Sequence, residues 1–193
     1  MMRVGNDVVD LGDPQIAEHH LRPRFVARVC SEEERGRVRD ARSLWSLFAS
    51  KEAAYKVLMK LGFEPGFGHR EIVVAEDLRS VRWRDVSLHL RVEATDDRVH
   101  AVAWEGEAEP SWGAEQTGDR DLSAAARALL CAALAREGRV SMLTRTVSVV
   151  RDPRQGSWDG FGPPRVVSRG EPLDVDVSLS HDGRFAAYAA LAV

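Results

Sequence analysis

The stretch Trp45-Ser46-Leu47-Phe48-Ala49-Ser50-Lys51-Glu52-Ala53-Ala54-Tyr55-Lys56 decides how the chain is read. On a helical wheel, Leu44, Leu47, Phe48, Ala54, Tyr55, Leu58 and Leu61 fall on one arc. The pattern predicts a helix over about residues 43–61 with that arc facing a core, closed by Gly62 as a C-terminal cap. Lys51 falls near the middle of the apolar arc. A buried ammonium is costly unless an anion pairs with it or the stem lets it reach water. Glu52 and Lys56, four residues apart, share the edge of the arc. An ordinary helical ion pair accounts for those two residues but not for Lys51.

Lys51, Lys56 and Lys60 are the chain's 3 lysines among 27 basic residues, and all sit on this helix. A codon bias toward arginine explains the scarcity. Retention of lysine where a compact ammonium is needed explains the clustering. Both readings stand at this point.

Upstream, residues 3–10 read as a buried strand ending in acids, and Gly5 would admit a close neighbour, either chain or ligand. Asp13-Pro14 is expected to open a helix, and Pro23 to break it or start the next. Ser31-Glu32-Glu33-Glu34 has the form of a capping box and predicts a basic helix to about Arg42. Downstream, short strands are expected near 71–75 and 80–84, and a hairpin over 86–93 and 98–104. Residues 105–120, rich in Gly, Pro, Ser and acids, read as a linker. A second helix is predicted from Ser123 to about Arg136, then strands near 144–150, 164–168, 174–180 and 185–192. A helix followed by strands therefore occurs twice.

The 193 residues suffice for one domain or two small ones sharing a core, and 44% hydrophobic with 30% charged residues fits a soluble globular chain. The net charge of -3 argues against nucleic-acid binding. No apolar run is long enough to cross a bilayer, and the start of the sequence has no apolar signal core, so a cytoplasmic location is expected. Cys30 and Cys131 read as free thiols.

Two further groups could carry chemistry. Asp7 lies among Val4, Val8 and Val9, where a carboxylate needs a partner, a turn to cap or a metal. With Glu52 it would give two hard oxygen ligands, which suits Mg²⁺ sharing substrate phosphates. In Val177-Ser178-Leu179-Ser180-His181-Asp182-Gly183 the serines share one strand face and His181 opens a turn. Such a turn either holds a phosphate or is a plain polar hairpin. Segment 22–42 is net positive through Arg22, Arg24, Arg28, Arg35, Arg37, Arg39 and Arg42. It reads as a solvated face or as a dock for an acidic partner.

Taken in order, these motifs resemble the 4'-phosphopantetheinyl transferase superfamily. Its Gly-x-Asp strand matches Gly5-Asn6-Asp7, and its Lys-Glu-Ala-x-x-Lys helix matches Lys51-Glu52-Ala53-Ala54-Tyr55-Lys56. The holo-acyl-carrier-protein synthase branch adds a Ser-x-Ser-His strand, here Ser178-Leu179-Ser180-His181, and a Gly-x-Pro element, here Gly162-Pro163-Pro164. Phe25 to Val29 followed by Ser31-Glu32-Glu33-Glu34 also looks like that branch.

The resemblance implies an α+β fold of two related halves, each a helix with an antiparallel sheet, forming a pseudo-dimer. Residues 1–104 would be the metal-binding half, 105–120 the linker and 121–193 the coenzyme A-binding half. It implies transfer of phosphopantetheine from coenzyme A to a serine of an acyl or peptidyl carrier protein. Asp7 and Glu52 would hold Mg²⁺. Glu52 and Lys56 would be catalytic, with Glu52 or a water it orients as base. Lys51, Lys56, Ser180 and His181 would contact cofactor phosphates, and Gly162 and Pro164 would shape the adenine-side loop. An acidic carrier would dock on the Arg-rich segment 22–42, whether its pathway makes fatty acids, polyketides or peptides.

Two departures from the pattern matter. Val9 stands where the surfactin-type branch has a third acid, and Asp10 comes one residue later, as in the small synthases. Asp10 would then lie outside the metal's own ligands. In the surfactin-type enzymes the Ser-His half also precedes the Gly-x-Asp half, whereas here it follows. A single chain closing its own site favours a monomer over the trimer of the small synthases. The rival reading is a non-catalytic relative that binds coenzyme A or a carrier.

Overall fold

Among the described residues, two antiparallel sheets of five strands repeat one plan. A computed structural model describes residues 2–63, 68–118, 121–140, 147–154 and 160–193. The first sheet comprises β1 (Val4–Asp10), β2 (Val73–Val74), β3 (Ser80–Trp83), β4 (Val86–Ala94) and β5 (Arg98–Trp104). The second comprises β6 (Ser111–Gln116), β7 (Val147–Val150), β8 (Arg165–Ser168), β9 (Glu171–Asp182) and β10 (Phe185–Ala192). Their spatial orders are β1-β5-β4-β3-β2 and β6-β10-β9-β8-β7. In each half the leading strand pairs with the last, and one long helix covers the sheet. The fold is thus α+β with two related halves.

The helices are α1 (Pro23–Val29), α2 (Glu32–Arg35), α3 (Ala41–Lys60) and α4 (Leu122–Arg136). Asp40 caps α3 by accepting from the Ser43 N–H at 2.7 Å. Asp121 caps α4 through the Ala124 N–H at 2.9 Å. Both helices end on a glycine at positive φ, Gly62 at 87° and Gly138 at 70°. The Phe63 and Arg139 N–H groups then reach back to the Leu58 and Leu134 carbonyls, closing each helix in the same way. Leu44, Leu47, Ala54 and Leu58 of the expected arc are buried, while Phe48 and Tyr55 are half-buried.

Three expectations fail for local reasons. Residues after Asp13 form turns and a short 3-10 stretch, His19–Leu21, because Asp13 accepts from the Gln15 N–H in a tight turn rather than capping an α-helix. The Ser31–Glu34 capping box exists, but its helix stops at Arg35. Glu34 is drawn inward to the Val74 N–H (2.8 Å), and Arg37 donates to the Val74 and Ala75 carbonyls (2.8 and 2.9 Å). Residues 111–116, expected within a linker, are strand β6. Gly and Ala suit that strand because it lies against Tyr188 of β10, where a Cβ on Gly113 would come within 3.1 Å of the ring.

The halves join along β1. Its outer edge faces β9, and its N–H groups are met by side chains rather than by backbone. Val4, Asn6, Val8 and Asp10 donate to Asp176, Ser178, Ser180 and Asp182 at 2.8, 3.0, 3.3 and 2.8 Å. An exposed strand edge is thereby satisfied by alternate residues of one strand face. Lys60 adds a clip, its ammonium donating to the Val4 carbonyl, Asp176 and the Val177 carbonyl, each at 2.7 Å. Val8 packs with Phe185 and Ala187, and Val4 with Ala189 and Leu191. Among the described residues no helix is long and apolar enough to cross a membrane.

Candidate active site

Gly5 sets the site's first distance. A Cβ there would stand 2.1 Å from the Ala53 carbonyl, so glycine lets β1 lie directly on α3. The neighbour admitted is the helix and not a ligand. This contact brings Asp7 to Lys56, whose ammonium donates to Asp7 at 2.9 Å and to the Asn6 carbonyl at 2.7 Å. An ammonium has three hydrogens, so one remains for a further acceptor. Ser180 donates to the same Asp7 oxygen at 3.0 Å.

Asp7 and Lys56 open into a cavity of about 910 Å³ between the halves. One wall is α3 with Tyr55 and Met59, and another is β9 with Ser178, Ser180 and His181. Arg127 of α4, with Arg151 and Arg154 after β7, makes the far side strongly basic. Phe161, Gly162, Pro163 and Pro164 close the rim, and the Gly162 carbonyl accepts from Arg151 at 2.8 Å. The room and the density of cations suit a large anionic ligand.

Burial pushes the Asp7 carboxyl above its usual range. Lys56 opposes that shift, the neighbouring Glu52 charge adds to it, and the Ser180 hydrogen bond opposes it. A cation beside Asp7 would relieve that charge repulsion. Asp7 and the nearby Glu52 could offer two oxygen donors to a hard divalent cation. The described residues contain no cluster of three His, Cys, Asp or Glu side chains. A cation here would need water or ligand oxygens to complete its shell, the habit of Mg²⁺.

Six of the expected residues thus line one cavity: Asp7, Lys56, Gly162, Pro164, Ser180 and His181. Glu52 stands one helical turn from Lys56, near enough for its charge to act on Asp7, and it is bonded to His69. Lys51 is elsewhere. It is fully buried on the other side of α3, ion-paired to Glu34 and donating to the His69 carbonyl at 3.1 Å. Burial lowers its pKa, with Glu34 opposing. A phosphate in the cavity is out of its reach, which corrects its expected role. Asp10 is also engaged, accepting from the Arg184 guanidinium (2.8 and 2.6 Å) and from the Gly12 N–H (2.8 Å). These bonds hold its carboxyl below the usual range. His181 lies on strand β9, and the turn falls at Gly183-Arg184.

Sequence reasoning missed Tyr55, Arg127 and the pair Arg151 and Arg154. The wheel assigned Tyr55 to the core. Ser123 and Arg127, four apart on α4, carried a usable signal, because both project from one helix face into the cavity.

A family model described as the 4'-phosphopantetheinyl transferase superfamily matches residues 3–125. Neither the curated proteins nor the solved structures yield a match.

Proposed function

The chain belongs to the 4'-phosphopantetheinyl transferase superfamily, and from that premise we propose that it moves the phosphopantetheine arm of coenzyme A onto a serine of an acyl or peptidyl carrier protein. The observation that carries the reading is the basic cavity in which Asp7, Lys56, Ser180 and His181 meet across the two halves.

In this reading the pyrophosphate lies by Asp7 and Lys56, and the remaining ammonium hydrogen of Lys56 binds a phosphate oxygen. Mg²⁺, held by Asp7 and Glu52, would neutralise phosphate charge as the leaving group departs. The serine oxygen forms a bond to the phosphorus next to the pantetheine arm. The bridging P–O bond breaks, and 3',5'-adenosine bisphosphate leaves with the electron pair. The serine proton passes to Glu52 or to a water that Glu52 orients. His181 and the nearby arginines bind the other phosphate charges, and Gly162 and Pro164 shape the adenine side. Ser180 acts chiefly by holding Asp7, since its hydroxyl donates there and accepts from Val8.

An acidic carrier would dock beside α1, where Arg22, Arg24, Arg28, Phe25 and the exposed Leu21 line a shallow groove. Because one chain supplies every wall of the cavity, we propose a monomer acting in the cytoplasm.

The test is incubation with coenzyme A, Mg²⁺ and a panel of apo carrier proteins, read by intact mass. Addition of the phosphopantetheine mass is expected on at least one carrier. Binding of coenzyme A without addition to any carrier would favour the non-catalytic relative.

A further inference from the structure

Lys51 and Glu34, which stand apart from the cavity, bear on Glu52 through one intermediary. Glu34 accepts from the Ser31 and Val74 N–H groups, both at 2.8 Å, and from Lys51. Lys51 in turn holds the His69 carbonyl at 3.1 Å. The His69 ring lies on the Phe48 ring, with centroids 5.3 Å apart and planes within 20°. Backbone and ring of His69 are thus fixed independently. From that position Nε2–H donates to Glu52 Oε1, because an ionised carboxylate can only accept. The second oxygen of Glu52 has no hydrogen-bond partner among the described residues.

We propose that His69 is a positioning residue that orients the Glu52 carboxylate, leaving its second oxygen for the metal shared with Asp7. The inference rests on the transferase reading above. A carboxylate anchored at one oxygen loses the freedom to turn away from a cation, and outer partners of this kind govern metal affinity. The buried Lys51–Glu34 pair then has a purpose, since it fixes the backbone from which His69 acts.

The test is Mn²⁺ titration of the full chain with coenzyme A present, by calorimetry and by electron paramagnetic resonance. It compares wild type with His69→Phe, His69→Ala and His69→Gln. His69→Phe keeps the stack on Phe48 and removes only the donor. His69→Gln keeps a donor. His69→Phe and His69→Ala are expected to weaken Mn²⁺ binding about 10–100-fold and to raise the half-saturating Mg²⁺ in transfer by a similar factor. KM for coenzyme A should stay within about twofold, and His69→Gln should regain most of the loss. Melting in EDTA checks folding, and His69→Phe should melt as wild type does. Wild-type Mn²⁺ affinity in His69→Phe, or a His69→Gln no better than His69→Phe, overturns the inference while leaving the transferase reading intact. A wild-type chain that neither binds Mn²⁺ with coenzyme A nor transfers overturns both.

Discussion

Helices α3 and α4 hold equivalent places in the two halves but differ in what they bury. Over 20 residues, α3 buries Ser46, Ser50 and Lys51 among its apolar side chains, sends Lys56 to Asp7 at the cavity and sends Lys60 across to Asp176 of the other half. Over 15 residues, α4 buries only Ala125, Ala126, Leu130, Ala133 and Leu134. The leading strands differ in the same sense. β1 is buried along nearly its whole length, with an edge covered by β9, whereas no residue of β6 is fully buried. One topology, used twice, has thus been divided between two roles. The first half supplies the acids and the ammonium. The second supplies a helix free of buried charge, a basic wall and the side chains that receive β1.

The largest test of that division is in the first half. Asp7→Asn or Glu52→Ala should lower transfer by roughly 10³-fold or more while far-ultraviolet circular dichroism stays unchanged. Wild-type rates would remove the acids from the mechanism.

Lys60→Met should break the clip between the halves. It takes from buried Asp176 one of its two cations, Arg3 at 3.2 Å being the other, and removes a donor from the Val4 and Val177 carbonyls, so urea unfolding should report a loss of about 1.5–3 kcal/mol. A change near zero would mean that the β1–β9 hydrogen bonds and the apolar packing hold the halves without the clip.

The joint should also respond to acid. Burial, with smaller contributions from Arg98 and Lys56, pushes His100 down to about 3. Its Nε2 accepts from Asn6 at 3.1 Å, which requires a neutral ring. The unfolded chain protonates this ring near its ordinary 6.5, so between that pH and about 3 the unfolded state binds the extra proton. Stability is therefore full above pH 6.5 and falls as pH drops, by up to about 1.4 kcal/mol per unit from this residue. His100→Gln should flatten that limb in denaturation curves taken across the range.

The smallest effect is expected from Ser178→Ala, which leaves the Asn6 N–H without its acceptor and should cost about 1–3 kcal/mol. Ser87→Ala, at an exposed position of β4, is the neutral comparison.

Much of this was legible because it is local. The arc of α3, the Gly62 cap, the 86–104 hairpin and the repeated helix-then-strands order depend on residues close in sequence. So did the oddity of Lys51, though not its cause. Its partner Glu34 lies 17 residues away, and no wheel can show that the anion comes from a capping box on another helix. Strand β6 was hidden because Gly, Ala and Ser gain strand character only against a partner such as β10. Asp7, Lys56, Ser180 and His181 were legible as motifs, whereas the arginine wall was not, since its members come from separate places in the chain. The three lysines finally separate into three roles: one buried against Glu34, one at the mouth of the cavity and one across the joint.

The ladder between β1 and β9 has a consequence for how the molecule can be altered. Each step lies 172 positions across the sequence and is made by a side chain. The docking register of the two halves is therefore written in four replaceable letters, Asp-x-Ser-x-Ser-x-Asp, and not in the backbone. A matched pair of fragments cut between β5 and β6 would carry that code intact, one strand edge on one fragment and its four acceptors on the other. The same code could be rewritten letter by letter to make the fragments recognise only each other.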